Sequence, residues 1–140
     1  MNVDGSKMVK GLHYEETYKP VVQWATIRFF ISMAILSNWH TRQLDFVLAF
    51  TQADIERDLA GFTVPGRTIT EQDKKDYVLK LEKNLYGQKQ AGGVWYLHLR
   101  KNLLELGFKP SQHDECVFYY GKTVFIVYTD DTILLGPDKR

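Results

Sequence analysis

The stretch Thr123-Val124-Phe125-Ile126-Val127-Tyr128-Thr129-Asp130-Asp131-Thr132-Ile133-Leu134-Leu135 decides the fold. Side chains on a strand alternate between its two faces. From Thr123 to Thr129 both alternating sets are apolar or aromatic: Val124, Ile126 and Tyr128 on one side, Phe125, Val127 and Thr129 on the other. That pattern predicts a strand buried on both faces. Glu115 to Tyr120 reads as the strand before it, joined by a turn at Gly121-Lys122, and Thr132 to Leu135 as the strand after it. The central hairpin therefore opens directly onto two adjacent carboxylates, Asp130 and Asp131.

Working outward, Gly92-Gly93 precede Val94 to Leu106, whose apolar members suit a helix stopping at Gly107. Tyr77 to Leu81 alternates as a strand, and residues 51 to 76, polar and punctuated by Pro65-Gly66, predict a short helix followed by loop. Arg42 to Phe50 is a short apolar run with Asp45 in its middle, read as a buried strand leading into a turn. Val21 to Leu36 places apolar residues near helical spacing but all round the axis, which predicts a largely buried helix. Residues 1–18 form an irregular lead-in that ends at Lys19-Pro20, where proline disfavours helix in the residue before it. The order of elements predicts an α+β fold: an antiparallel sheet with helices packed on one face.

The 140 residues are 44% hydrophobic and 25% charged, the balance of one globular domain spanning 1–140. A net charge of +1 gives no global signature of a nucleic-acid binder, so any such surface must be local. The single cysteine, Cys116, excludes an internal disulfide and fits a reducing compartment. The N-terminus has no apolar run of the secretory kind. Phe29 to Leu36 falls far short of the ~20 residues a membrane helix needs, so no membrane partner is expected.

A buried carboxylate without a partner costs several kcal/mol, and two side by side repel, so each tends to go neutral or recruit a cation. Asp45, Asp130 and Asp131 are acids embedded in apolar strand sequence, and divalent metal is the economical explanation. Magnesium (Mg2+) takes one or two protein carboxylates and fills its octahedron with water and substrate phosphates. Two such ions roughly 4 Å apart activate a hydroxyl and stabilise a leaving oxygen. Neighbouring strand residues point to opposite faces, which ranks Asp130, with Asp45, above Asp131. The plainer alternative is that Asp130-Asp131-Thr132 is a hairpin turn and Asp45 a partly exposed strand residue.

Four blocks bear on that choice. Tyr14-Glu15-Glu16-Thr17-Tyr18-Lys19-Pro20-Val21-Val22, Gln43-Leu44-Asp45 with Ala49-Phe50, Asn84-Leu85-Tyr86-Gly87-Gln88-Lys89-Gln90-Ala91 with Trp95, and Tyr128-Thr129-Asp130-Asp131 resemble, in order and spacing, the Ty1/copia-type retrotransposon reverse transcriptase domain. The resemblance covers about Lys10 to Leu135. It implies a palm-and-fingers core over 19–135, RNA-directed DNA synthesis from deoxynucleoside triphosphates on an RNA or DNA template-primer, and two Mg2+ ions, with Mn2+ as a substitute. By the same resemblance Asp45, Asp130 and Asp131 are the catalytic, metal-binding acids. Phe50 is the aromatic under the sugar that excludes a 2′-hydroxyl, with plain core as its alternative. Gln90 and Tyr128 belong to nucleotide and template binding. The implied setting is intracellular, in cytoplasm or nucleus, with virus-like particles in the family.

The chain departs from that family in several places. Met1 to Met8 stands where the family has a basic strand reaching the triphosphate, leaving Lys7 and Lys10 as substitutes. Gly93 stands where arginine is common two residues before the tryptophan, and Leu59 to Gly66 lacks a Tyr-Met pair. The expectation is a truncated domain without thumb, ribonuclease H or the rest of the Pol polyprotein, with little activity alone. The alternatives are an inactive retroelement remnant or a nucleic-acid-binding module without chemistry. His113 and Cys116 are too few for a structural zinc site. Lys80, Lys83, Lys89, Arg100 and Lys101 read as solvated charges in preference to a nucleic-acid patch.

Overall fold

The computed structural model describes residues 5–61, 70, 72 and 79–137. After one 3-10 turn (Gly5–Lys7) the elements run α1 (Trp24–Leu36), β1 (His40–Asp45), α2 (Ala49–Gln52), β2 (Asp54–Gly61), β3 (Leu79–Lys83), α3 (Ala91–Glu105), β4 (Lys109–Pro110), β5 (Val117–Tyr120), β6 (Thr123–Tyr128) and β7 (Asp131–Gly136). The fold is α+β. The chain divides into two compact units, one made of Met1–Tyr18 and Leu48–Trp95, the other of Lys19–Val47 and Tyr96–Arg140. Among the described residues no helix is long and apolar enough to cross a membrane.

The second unit holds a five-stranded sheet of order β1-β7-β6-β5-β4, antiparallel throughout. β6 lies at its centre with Val124 to Val127 all buried, the two-sided burial its composition predicts. Directly opposed residues share a face. One face therefore carries Tyr119, Val124, Ile126, Tyr128, Asp131, Ile133, Gln43 and Asp45. Against it packs α1, with the ring of Phe30 6.2 Å from that of Tyr119. On the opposite face Phe108, just past α3, sets its ring 5.9 Å from Phe125 and 5.4 Å from Tyr120.

α1 and β1 are both more exposed than their sequences predict. α1 is not largely buried: Phe30 and Ala34 are buried, while Trp24, Phe29, Ile31, Ile35 and Leu36 are exposed. The helix touches the sheet along one stripe, and the remaining apolar residues face outward. β1 is not a buried strand either, because it forms the sheet edge and is exposed along most of its length.

Both long helices end as their sequences dictate. Gly107 adopts φ 89, its N–H bonds to Leu104 C=O and the Phe108 N–H to Leu103 C=O, a Schellman cap that needs a residue tolerant of left-handed backbone. Asn38, at φ 52, does the same for α1, with Asn38 N–H to Ile35 C=O and Trp39 N–H to Ala34 C=O. The start of α1 is capped from elsewhere. Gln23 makes no side-chain cap; Asp114 Oδ2 accepts from Gln23 N–H at 3.2 Å and from Thr26 Oγ1 at 2.8 Å, while Oδ1 accepts from Cys116 N–H at 3.0 Å. A carboxylate there also meets the positive end of the helix dipole.

In the first unit β2 and β3 pair antiparallel, with a register shift between Asp54 and Leu59. A loop was expected over β2; its polar sequence has little strand propensity, and pairing with β3 prevails over it. Asn84 is buried and donates through Nδ2 to the carbonyls of Ala53 and Asp54, at 3.3 and 2.9 Å, fastening the start of β2 to the end of β3. The lead-in is anchored by Lys89, whose Nζ donates to Met8 C=O at 3.3 Å and lies 5.3 Å from the Tyr14 ring centre. Glu16 accepts from the N–H groups of Thr17 and Tyr18, and these bonds, Tyr18 foremost, hold its carboxyl below the usual range. The Pro65-Gly66 turn and the first residues of the expected Tyr77–Leu81 strand lie outside the described residues.

Candidate active site

The β6–β7 hairpin turns on Thr129 and Asp130, so Tyr128 and Asp131 become register partners. Thr129 has φ 59, a region where a β-branched residue is strained. Such strain, of about 1–3 kcal/mol, persists only where the surroundings impose it. On the other side of β7 the register pairs Asp45 with Asp131. The Phe46 N–H reaches the Asp130 carbonyl at 3.5 Å, which makes Asp45 and Asp131 a non-hydrogen-bonded pair, the class whose Cα atoms approach to about 4.5 Å. Tyr128, Asp131 and Asp45 thus form a row across three strands on one face, with Asp130 in the turn at its end.

The acids are not buried in apolar surroundings, as their sequence context suggested. Asp45 and Asp131 are exposed and Asp130 is half-buried. The reason is their position at the end of the sheet, where β1 is an edge and the hairpin turns into solvent. The register sets Asp131 opposite Asp45 and leaves Asp130 in the turn. Among the described residues none of the three has a salt-bridge partner. Nor do three or more His, Cys, Asp or Glu side chains converge there on a point that could hold a metal ion.

Thr132 is the contributor that sequence reasoning missed. It is 1% exposed, and its Oγ1 donates to Leu44 C=O at 2.9 Å, tying β7 to β1 one residue from the facing acids. A threonine after two aspartates reads simply as a strand former, and no signal marks its hydroxyl.

Phe50 and Gln90 belong to the first unit. The half-buried Phe50 packs against Tyr86 with ring centres 4.4 Å apart and planes tilted by 41°. Gln90 is 5% exposed, and its Oε1 has no hydrogen-bond partner among the described residues; the same holds for Asn84 Oδ1 and Gln88 Nε2 in the same block. Gly93, where arginine was expected, has a tight neighbour: a Cβ there would stand 2.6 Å from the Tyr18 carbonyl oxygen. Of the candidate basic residues, Lys83 pairs with Asp54, Lys89 is held on Tyr14, and Lys101 lies 4.0 Å from Glu105.

Comparison with known proteins agrees with the four sequence blocks. The chain is 39% identical over 132 residues to the Retrovirus-related Pol polyprotein from transposon RE1 of Arabidopsis thaliana, covering 91% of this chain and 9% of that protein. It is 33% identical over 147 residues to the Pol polyprotein from transposon TNT 1-94 of Nicotiana tabacum, covering 98% and 10%. To the Transposon Ty1-ER2 Gag-Pol polyprotein of Saccharomyces cerevisiae it is 29% identical over 133 residues, covering 91% and 7%. The chain thus spans a tenth or less of the length of these relatives. No solved structure matches. Residues 1–140 in full match the family described as Reverse transcriptase (RNA-dependent DNA polymerase), and the chain belongs to that family, in its Ty1/copia-type branch.

Proposed function

We propose that this chain is the palm-and-fingers part of an RNA-directed DNA polymerase, and that its acid row is the centre for nucleotidyl transfer. The observation that carries the proposal is the register pairing of Asp45 with Asp131, with Asp130 in the adjoining turn and, among the described residues, no cation paired to any of the three. Facing like charges are unfavourable on a sheet, and hard carboxylate oxygens suit magnesium, which needs only one or two of them from protein. The donor set therefore fits. Asp45 and Asp131 would hold the metal, with Asp130 joining from the turn. When bound, Mg2+ lowers the pKa of an attacking hydroxyl and neutralises charge on the phosphates. The protein's own part is to fix the acids: Thr132 sets the β1–β7 register, and the strained turn at Thr129 places Asp130. Template-primer and deoxynucleoside triphosphates are the proposed substrates, and Tyr128, at 43% exposure in the acid row, the proposed contact to them.

Phe50 and Gln90 enter this reading as nucleotide-side residues of the first unit. Gln90, buried as it stands, reaches a template only if its loop opens. A second reading, a remnant that no longer catalyses, draws on Gly93, where the Tyr18 carbonyl lies where an arginine side chain would begin. Primer extension on an RNA template separates the two. Magnesium-dependent incorporation supports the polymerase; a folded chain that binds template-primer equally in magnesium and in chelator, and incorporates nothing, supports the remnant.

A further inference from the structure

Beside the acids lies a cleft of about 230 Å³ that shares Asp131 and Tyr128 with the proposed polymerase site and adds Trp24 and Gln43, which that reading leaves unused. Trp24, at the first turn of α1, and Tyr128, at the end of β6, form its aromatic side, with ring centres 6.4 Å apart and planes tilted by 43°. Gln43 and Asp131 form its polar side. Trp24 is 67% exposed, so its ring is not there to fill a core. Arg28, one helical turn further along the same side of α1, is exposed. The cleft is smaller than the ~300–1,000 Å³ of a typical small-molecule site, which suits a single flat ring and not a whole triphosphate.

We propose that Trp24 and Tyr128 form a stacking platform for one unpaired nucleobase, with the Gln43 amide facing the base edge and Arg28 near its phosphate. Stacking on aromatic rings is tolerant of sequence, since every base offers a π-face. An amide supplies the donor and acceptor that a base edge requires. The platform deepens the polymerase reading and rests on it for its occupant, a single-stranded stretch of template or primer.

The test is fluorescence anisotropy of a labelled oligodeoxythymidylate and of a strand with the same number of phosphates but abasic sugars, titrated with the full chain and with Trp24→Ala and Trp24→Phe. The expected result is that Trp24→Ala weakens binding of the thymidylate about tenfold, the order set by one stacked base. Trp24→Phe recovers most of that loss, and the abasic strand binds wild type and Trp24→Ala alike. Equal loss on both strands overturns the platform, because the contact is then to backbone. So does unchanged affinity of Trp24→Ala, which assigns the cleft to a protein segment, and so does failure of the chain to bind either strand. Base-dependent binding through Trp24 without magnesium-dependent extension keeps the platform and removes the polymerase reading.

Discussion

Asp45 and Asp131 face each other as register partners on adjacent antiparallel strands, two exposed carboxylates with no cation paired to either among the described residues. Without metal their repulsion works against the edge strand. Asp45→Asn is expected to stabilise the metal-free chain by roughly 0.2–1 kcal/mol. Added magnesium should raise the melting temperature of the wild type and leave Asp45→Asn unmoved, since a ligand stabilises only the state that binds it. Thermal melts with and without magnesium check both.

Thr132→Val keeps the shape of a buried strand residue and removes the hydroxyl that bonds Leu44 C=O. A loss of about 1 kcal/mol is expected, read by urea denaturation. Hydrogen exchange should show the gain in mobility concentrated in His40 to Asp45.

Asp114 caps α1 from a loop some ninety residues away in sequence, accepting three hydrogen bonds. Asp114→Ala is expected to cost about 1–2 kcal/mol, the upper range for a lost helix cap. Asp114→Asn, which retains an acceptor oxygen, should cost less. Denaturation midpoints of the two variants decide it.

Much of this fold can be read from the chain, and the parts that cannot share a cause. The β5–β6–β7 run was legible because two-sided apolar alternation has few other solutions, and α3 because Gly107 marks its end. The exposure of α1 and β1 was not, since composition reports how apolar a segment is and not whether a neighbour arrives to cover it. β2 was missed because its pairing with β3 is a tertiary effect. The acids were legible as residues, and the four blocks identified the family. Their register was not legible: whether Asp45 meets Asp130 or Asp131 depends on a hairpin turn with Thr129 at positive φ, which nothing in a threonine announces. The cap by Asp114 and the tie by Thr132 are likewise long-range hydrogen bonds without a local signature.

Cys116 is buried, and burial, with Asp114 and Glu115 nearby, pushes its thiol up to about 12 from an ordinary 9.0. The thiolate is the reactive form, so iodoacetamide at pH 8 should label the native chain slowly and the urea-unfolded chain fast. The folded state holds this proton more tightly than the unfolded state. The stability it contributes is therefore complete below pH 9 and declines as pH rises from about 9 towards 12. Cys116→Ala should flatten that decline in alkaline denaturation.

Manganese binding, followed by water-proton relaxation, tests most directly whether the facing acids form a metal site. The wild-type chain and Asp114→Asn should bind the ion, while Asp45→Asn and Asp131→Asn should each lose most of the affinity. Equal binding by all four proteins would contradict the assignment of the metal to the Asp45–Asp131 pair.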